Sequence, residues 1–314
     1  MSLLIERCGA LATLQDGGRS GVRHLGVTQG GSADWYSHHW ANWLLGNERV
    51  APVIEIVLGN FELLASQDAC LALAGADLGA SLDGEPLEPW RSFRIAKGQR
   101  LCFTQPRKGV RAYLAAPGGF IAERVLGSCA TVGRERLGGL RGDGRPLAPG
   151  DALHWRGGSP GPRVVDPARI PPFDGTLRLD VVLGAQIGDF SGQSLFDAFN
   201  QEWQVDPRAD RMGIRLTGPV LTGPRQAMVS EGVPLGAIQV PSDGQPIVLL
   251  NDRQTIGGYP RLGALTPLSV ARLAQCLPGS RVRLHPVSLD EAQRQQRRLL
   301  ADWPPSPDGA EAFP

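Results

Sequence analysis

A chain of 314 residues exceeds the usual size of a single domain, so two domains or one large all-β body are expected. Its 32 basic and 31 acidic residues leave a formal net charge of +1, which argues against a global field drawing in nucleic acid or an anionic membrane. Lys97 and Lys108 are the only lysines, so a Schiff-base or phosphate-gripping lysine is a poor centre for the chemistry, and carboxylates, amides and arginines are left to carry it.

The opening stretch MSLLIERCGALATLQDGG lacks a basic segment followed by a sustained apolar run, and no apolar run reaches the ~18 residues of a membrane span. A soluble, non-secreted protein is expected. Cys8, Cys70, Cys102, Cys129 and Cys276 are scattered and never in C-x-x-C spacing, which argues against zinc or a disulfide framework and for a reducing cytoplasm. The 41 glycines and 26 prolines, with short apolar runs between them, predict many short strands and tight turns, a mainly β fold with few short helices.

In residues 13–37, Gln15, Asp16, Arg19 and His24 sit among glycines, a loop able to aim polar groups at a ligand. Alternatively, Asp16 and Arg19 only pair and tie the loop down. SADWYSHHWANWLLG predicts a helix, with Ser32 and Asp34 as candidate caps, Trp35, His39 and Trp43 at helical spacing, and Gly46 as its end. Adjacent His38 and His39 do not share a helical face, so no metal is expected there.

CLALAGADLGASLDGEPLEPW reads as a strand at 71–74, a glycine bend, a second segment and a DGEP turn before Trp90. RSFRIAKGQRLCF continues with Phe93 and Ile95 alternating, a Lys-Gly turn and an apolar segment at 101–103, so hairpins are expected. Residues 156–176 are rich in Gly and Pro without apolar periodicity and predict a connection between halves. GDFSGQSLFDAFNQEWQV predicts a second helix capped by Ser194, with Leu195, Phe196 and Phe199 on one face. The expected domains are 1–160 and 176–292, both β-rich, followed by a tail at 293–314 whose last residues are expected to be mobile. Each half starts with a helix followed by glycine-punctuated strands, which hints at a duplicated architecture.

DPRADRMGIRL packs Asp206, Arg208, Asp210, Arg211 and Arg215 together, either a solvated ion-pair cluster or an anion site; Arg211 is the member retained as a candidate. In SEGVPLGAIQVPSDGQPIVLLNDRQTIGGYP, an apolar strand at 247–250 is ringed by hydrogen-bonding side chains. Glu231, Gln239, Gln245, Asp252, Arg253, Gln254 and Thr255 form a set suited to orienting a small amide or carboxylate. The chain has no G-x-S-x-G elbow and no P-loop, which argues against a serine triad and P-loop nucleotide binding.

LQDGGRSGVRHLGVTQGGSADWYSHHWANWLLGN, ALAGADLGASLDGEPLEPWRSFRIAKGQRL, DRMGIRLTGP, SEGVPLGAIQVPSDGQPIVLLNDRQTIGGYP and PGSRVRLHPVSLDEA together resemble the KipA family. This family is also called allophanate hydrolase subunit 2, or biotin-dependent carboxyltransferase-like. The resemblance spans residues 11–292 and implies a β-rich body with a cyclophilin-like barrel. Its nearest functional label is the C subunit of the prokaryotic 5-oxoprolinase, which implies opening of the 5-oxoproline lactam to glutamate with a KipI-like B subunit and a lactam-utilisation A subunit. ATP and Mg²⁺ are then expected at the level of the complex.

On this reading Asp252, Arg253 and Glu231 are expected to be catalytic, with Arg253 or Arg211 at developing negative charge and Asp252 or Glu231 at Mg²⁺ or a nucleophile. Asp16, Arg19, Arg211, Gln239, Gln245, Gln254, Thr255 and Tyr259 are expected to bind substrate. Met1, Met212 and Met228 have no lysine neighbour, so no covalently bound biotin is expected on this chain. The alternatives are a urea or amide carboxyltransferase served by carboxybiotin on another domain, and a regulatory protein that binds a KipI-like kinase inhibitor.

Overall fold

A computed structural model of the chain describes residues 2–9, 11–158, 160–223 and 228–305. The chain divides into two units. The first comprises Met1–Ser20, Gly30–Phe173 and Pro304–Pro314, and the second comprises Gly21–Gln29 and Asp174–Trp303.

Unit 1 holds strands β1 (Ser2–Arg7), β2 (Leu11–Gln15), β3 (Val53–Val57), β4 (Phe61–Ala65), β5 (Ala69–Asp77) and β6 (Ala80–Leu82). It continues with β7 (Glu85–Pro86), β8 (Arg91–Ile95), β9 (Arg100–Phe103), β10 (Lys108–Ala115) and β11 (Ala152–His154). They form a six-stranded sheet in the order β11-β1-β4-β9-β6-β7 and a five-stranded sheet in the order β2-β3-β10-β5-β8. Leu3, Leu63, Leu101 and Leu153 from the first and Leu14, Ile54, Leu73 and Leu114 from the second share one buried core. Burial in β4 alternates, as one covered face requires, whereas every residue of β3 is buried.

The hairpin expected at the DGEP turn forms across Asp83 and Gly84, pairing β6 with β7, whereas the bends at Gly79 and at Lys97-Gly98 make no hairpin. β5 and β8 lie in the five-stranded sheet and β6 and β9 in the six-stranded one, so these bends carry the chain from sheet to sheet. Alternation of apolar residues reports one buried face, and both sheets bury a face in the same core.

Helix α1 (Trp35–Trp43) is capped by Asp34, whose carboxylate accepts from the Ser37 N–H at 3.0 Å and the Ser37 hydroxyl at 2.5 Å. Its entry is pinned by buried Glu55, which accepts from the Ala33 N–H at 2.9 Å and the Tyr113 hydroxyl at 2.8 Å. Tyr36 and Trp40 are buried.

Unit 2 contains β12 (Leu177–Leu183), α2 (Gly192–Asn200), β13 (Trp203–Val205), β14 (Gly213–Thr217), β15 (Glu231–Gly232) and β16 (Ala237–Gln239). β17 (Ile247–Leu249), β18 (Ile256–Gly257), β19 (Arg261–Leu265), α3 (Pro267–Leu273), β20 (Arg281–Val287) and α4 (Leu289–Ala301) follow. Seven strands close a barrel in the order β12-β19-β16-β17-β14-β13-β20, sealed by the parallel pairing of β20 with β12. β15 and β18 form a separate two-stranded ribbon.

The cap of α2 is Ser191, not Ser194: the Ser191 hydroxyl oxygen accepts from the Ser194 N–H at 3.2 Å, which places Ser194 inside the first turn. Phe196 is exposed, so the apolar face of α2 is narrower than expected. Residues 293–301, expected in a tail, lie within α4, and the end of that tail, 306–314, falls outside the described residues. The two units are not copies of one another, since one stacks two sheets and the other closes a barrel. The fold is mainly β with few short helices.

Candidate functional site

β17 carries two apolar faces. Val248 packs into the barrel core, while Leu249 joins Ala237 and Val233 in a second cluster against which Ile247 packs. The continuous apolar run is thus a strand covered on both sides, and the chain leaves it with Asn251, Asp252 and Arg253 all buried.

Asp252 accepts from Nε and Nη2 of Arg211 at 3.0 Å each, a fork of two parallel charge-assisted bonds. The backbones are locked in the same register, Asp252 N–H to the Arg211 carbonyl and Leu250 N–H to the Met212 carbonyl, each at 2.9 Å. Both carboxylate oxygens therefore face a guanidinium.

Arg253 differs. Its Nε donates to the Val233 carbonyl at 3.2 Å and its Nη1 to the Leu250 carbonyl at 3.3 Å, and among the described residues no carboxylate pairs with it. Arg23 reaches the same Val233 carbonyl at 3.0 Å, and the Gln254 and Thr255 carbonyls at 3.1 and 3.4 Å. Burial, and secondarily the Arg23 charge, pushes the Arg253 guanidinium down to about 10, so it stays cationic at neutral pH. A buried cation meeting only neutral carbonyls is a group that an anion would stabilise.

These bonds fasten the stretch leading into the ribbon, where Glu231 pairs with Gly257 and Gly232 with Ile256. Glu231 is bound by Arg261 and by Nε2 of Gln186 at 3.1 Å. Beneath the ribbon lies Gln239, whose side-chain nitrogen is buried without a hydrogen-bond partner among the described residues. A Cβ on Gly257 would stand 2.5 Å from that nitrogen, so glycine is what lets the ribbon approach.

The barrel thus gathers Arg211 with Asp252, and Arg253, Gln254 and Thr255 with Arg23. Gln254 and Thr255 contribute carbonyls to this cluster. Gln245 is elsewhere: its amide brackets Gly218, accepting from the N–H at 2.8 Å and donating to the carbonyl at 3.2 Å. Tyr259 is exposed. Sequence reasoning passed over Arg23, Arg261 and Gln186. Arg23 stands in the glycine-rich loop already flagged, but nothing in that loop marks which arginine belongs to unit 2.

In unit 1, Asp16 and Arg19 fasten the same segment. Asp16 accepts from the Gly18 N–H at 2.9 Å, the Ser128 hydroxyl at 2.6 Å and the Cys129 N–H at 2.8 Å. Arg19 donates to the carbonyls of Val125 at 3.1 Å and Ala130 at 2.8 Å. Burial, and then the Asp16 charge, raises the Cys129 thiol, which makes it a poor nucleophile. Among the described residues no group of three or more His, Cys, Asp or Glu could hold a metal, and no helix is long and apolar enough to cross a membrane.

Residues 25–286 match the family model described as carboxyltransferase domain, subdomain A and B. The chain is 37% identical over 303 residues to the C subunit of 5-oxoprolinase from Escherichia coli K12, covering 94% of this chain and 96% of the relative. It is 33% identical over 288 residues to the corresponding C subunit from Haemophilus influenzae, covering 91% and 92% respectively. Its fold is shared with the crystal structure of Kluyveromyces lactis urea carboxylase, with a TM-score of 0.89 at 24% identity, over 99% of this chain and 30% of that one.

Proposed function

Because this chain belongs to the carboxyltransferase-domain family, subdomain A and B, we propose that it is the C subunit of an ATP-dependent 5-oxoprolinase, opening 5-oxoproline to glutamate with a KipI-like B subunit and a lactam-utilisation A subunit. The observation that carries this reading is the match in length: the alignment spans 96% of the E. coli relative but only 30% of the urea carboxylase.

Lactam opening is difficult because the amide is resonance-stabilised. ATP supplies the means of activating the lactam carbonyl. Arg253 is the group of this chain that fits a developing negative charge, since it is buried, cationic and bonded to neutral carbonyls. Asp252 fits a bracing role, its two oxygens held by Arg211, and Glu231 is held by Arg261. Neither carboxylate fits a Mg²⁺ ligand in this arrangement, so the metal requirement belongs to the assembled complex.

The test is co-expression with the two partner subunits and measurement of glutamate released from 5-oxoproline. ATP-dependent release that needs all three chains is expected. Absence of release, with urea carboxylated when a biotin carboxylase and a carboxybiotin carrier are supplied, would replace this reading with carboxyl transfer.

A further inference from the structure

A cavity of about 610 Å³ opens in unit 1, lined by the loop at 16–20, residues 48–52, the turn at 118–122, and Arg124, Gly127 and Arg156. Two guanidinium groups therefore face one space. Arg124 donates to the Gly127 carbonyl at 3.0 Å, and Arg156 makes no hydrogen bond or ion pair among the described residues. Neither meets a carboxylate among those residues. The two carboxylates of the lining, Asp16 and Glu48, are placed differently. Asp16 is buried and accepts three hydrogen bonds from within unit 1, and Glu48 is exposed.

We propose that this cavity binds a small monocarboxylate, held by charge-assisted hydrogen bonds from Arg124 and Arg156. A carboxylate suits guanidinium geometry, and each such bond is about twice as strong as a neutral one. The charges of the lining select the class of ligand. Two arginines against Asp16 and Glu48 leave the lining with no net charge, so a ligand with one negative charge brings far less uncompensated charge than a nucleotide triphosphate with several. Asp16 and Arg19 act here as positioning residues, because their bonds to residues 125–130 fix the loop that follows Arg124. 5-Oxoproline, with one carboxylate beside a neutral amide, belongs to the class. Its choice as ligand rests on the 5-oxoprolinase reading, whereas the preference for a monocarboxylate rests on the cavity alone.

The test is calorimetric titration of the full chain with 5-oxoproline, glutamate, acetate and ATP, comparing the wild type with Arg124→Ala, Arg156→Ala and the double variant. The assembled complex is assayed in parallel for its KM for 5-oxoproline. Both arginines are on the surface, and thermal melts establish that the variants are folded. The expected result is binding of 5-oxoproline in preference to ATP, with the double variant weakened about tenfold or more in affinity or in KM. No carboxylate bound by the chain, together with an unmoved KM in the double variant, overturns the site, and ATP-dependent glutamate release in that same variant leaves the 5-oxoprolinase reading standing. Binding of acetate or glutamate but not 5-oxoproline, lost in the double variant, supports the site and counts against that reading.

Discussion

Asp252 and Arg211 form a buried pair whose members depend on each other. Asp252→Asn leaves a buried guanidinium without its counter-charge, a loss on the order of 3–5 kcal/mol. A clear drop in Tm is expected, and an unchanged melt would show that the fork is dispensable. Arg253 calls for a gentler change, because Arg253→Ala also removes bonds to Val233 and Leu250. Arg253→Lys keeps the charge and loses the planar guanidinium. Turnover of the assembled complex should fall at least about tenfold while the melt moves little; normal turnover would assign Arg253 to holding the ribbon. His38 is fully buried, with Nε2 at 2.9 Å from the Ala51 carbonyl, and burial lowers it from the ordinary value of 6.5 despite the opposing charges of Asp16 and Glu55. The folded protein keeps this ring neutral while the unfolded chain takes up a proton below about 6.5. The contribution of this ring to stability is therefore constant above that pH and falls below it, by up to about 1.4 kcal/mol per pH unit, until the lowered value is reached. Melts from pH 7 to pH 5 should show a shallower decline for His38→Gln, and parallel curves would disprove the assignment.

At the scale of elements, the pairing of β5 with β10 turns on one backbone position. Gly75 has φ of +90°, and a Cβ there would stand 2.5 Å from the Arg111 carbonyl oxygen, where the register of the two strands shifts. Only glycine adopts that conformation freely, and the obstacle is backbone, which cannot swing aside. Gly75→Ala should cost more than about 2 kcal/mol, read as a lowered urea midpoint with an unchanged slope. A wild-type midpoint would mean that the strands can slide at the bulge.

At the scale of the molecule, the candidate groups are of one kind. They are guanidinium groups, amides and braced carboxylates, and Cys129, the buried thiol beside Asp16, is held protonated. The isolated chain is therefore expected to be catalytically silent, because no nucleophile with its own base stands among these groups. Turnover of 5-oxoproline by the purified chain alone would refute this. Hydrogen exchange on the free and assembled chain gives a second readout. Residues 254–260, where Ile256 and Tyr259 are exposed, should gain protection on assembly, whereas α1 should not, since Trp40 and Tyr36 are already buried within unit 1. Protection confined to α1 would reverse the expected docking face.

Local chemistry made much of this protein legible. Asp34 caps α1 as its position before the aromatic run predicts, Gly and Pro density announces the short strands, and the run at 247–250 is a strand because both its faces are covered. The long stretch from Ser230 to Pro260 carried the resemblance to the family. What the sequence left undecided was which partner each segment meets. The turn at Lys97 and Gly98 is plain in the sequence, but that it crosses between sheets follows from a core shared by both. Gln245 and Arg253 are equally polar neighbours of one strand, yet the first braces Gly218 and the second lies buried beside Arg23. Periodicity and turn chemistry act over a few residues and determine the conformation of a segment. Pairing of sheet edges and convergence of side chains join residues from tens to more than two hundred positions apart, so only the tertiary structure decides them.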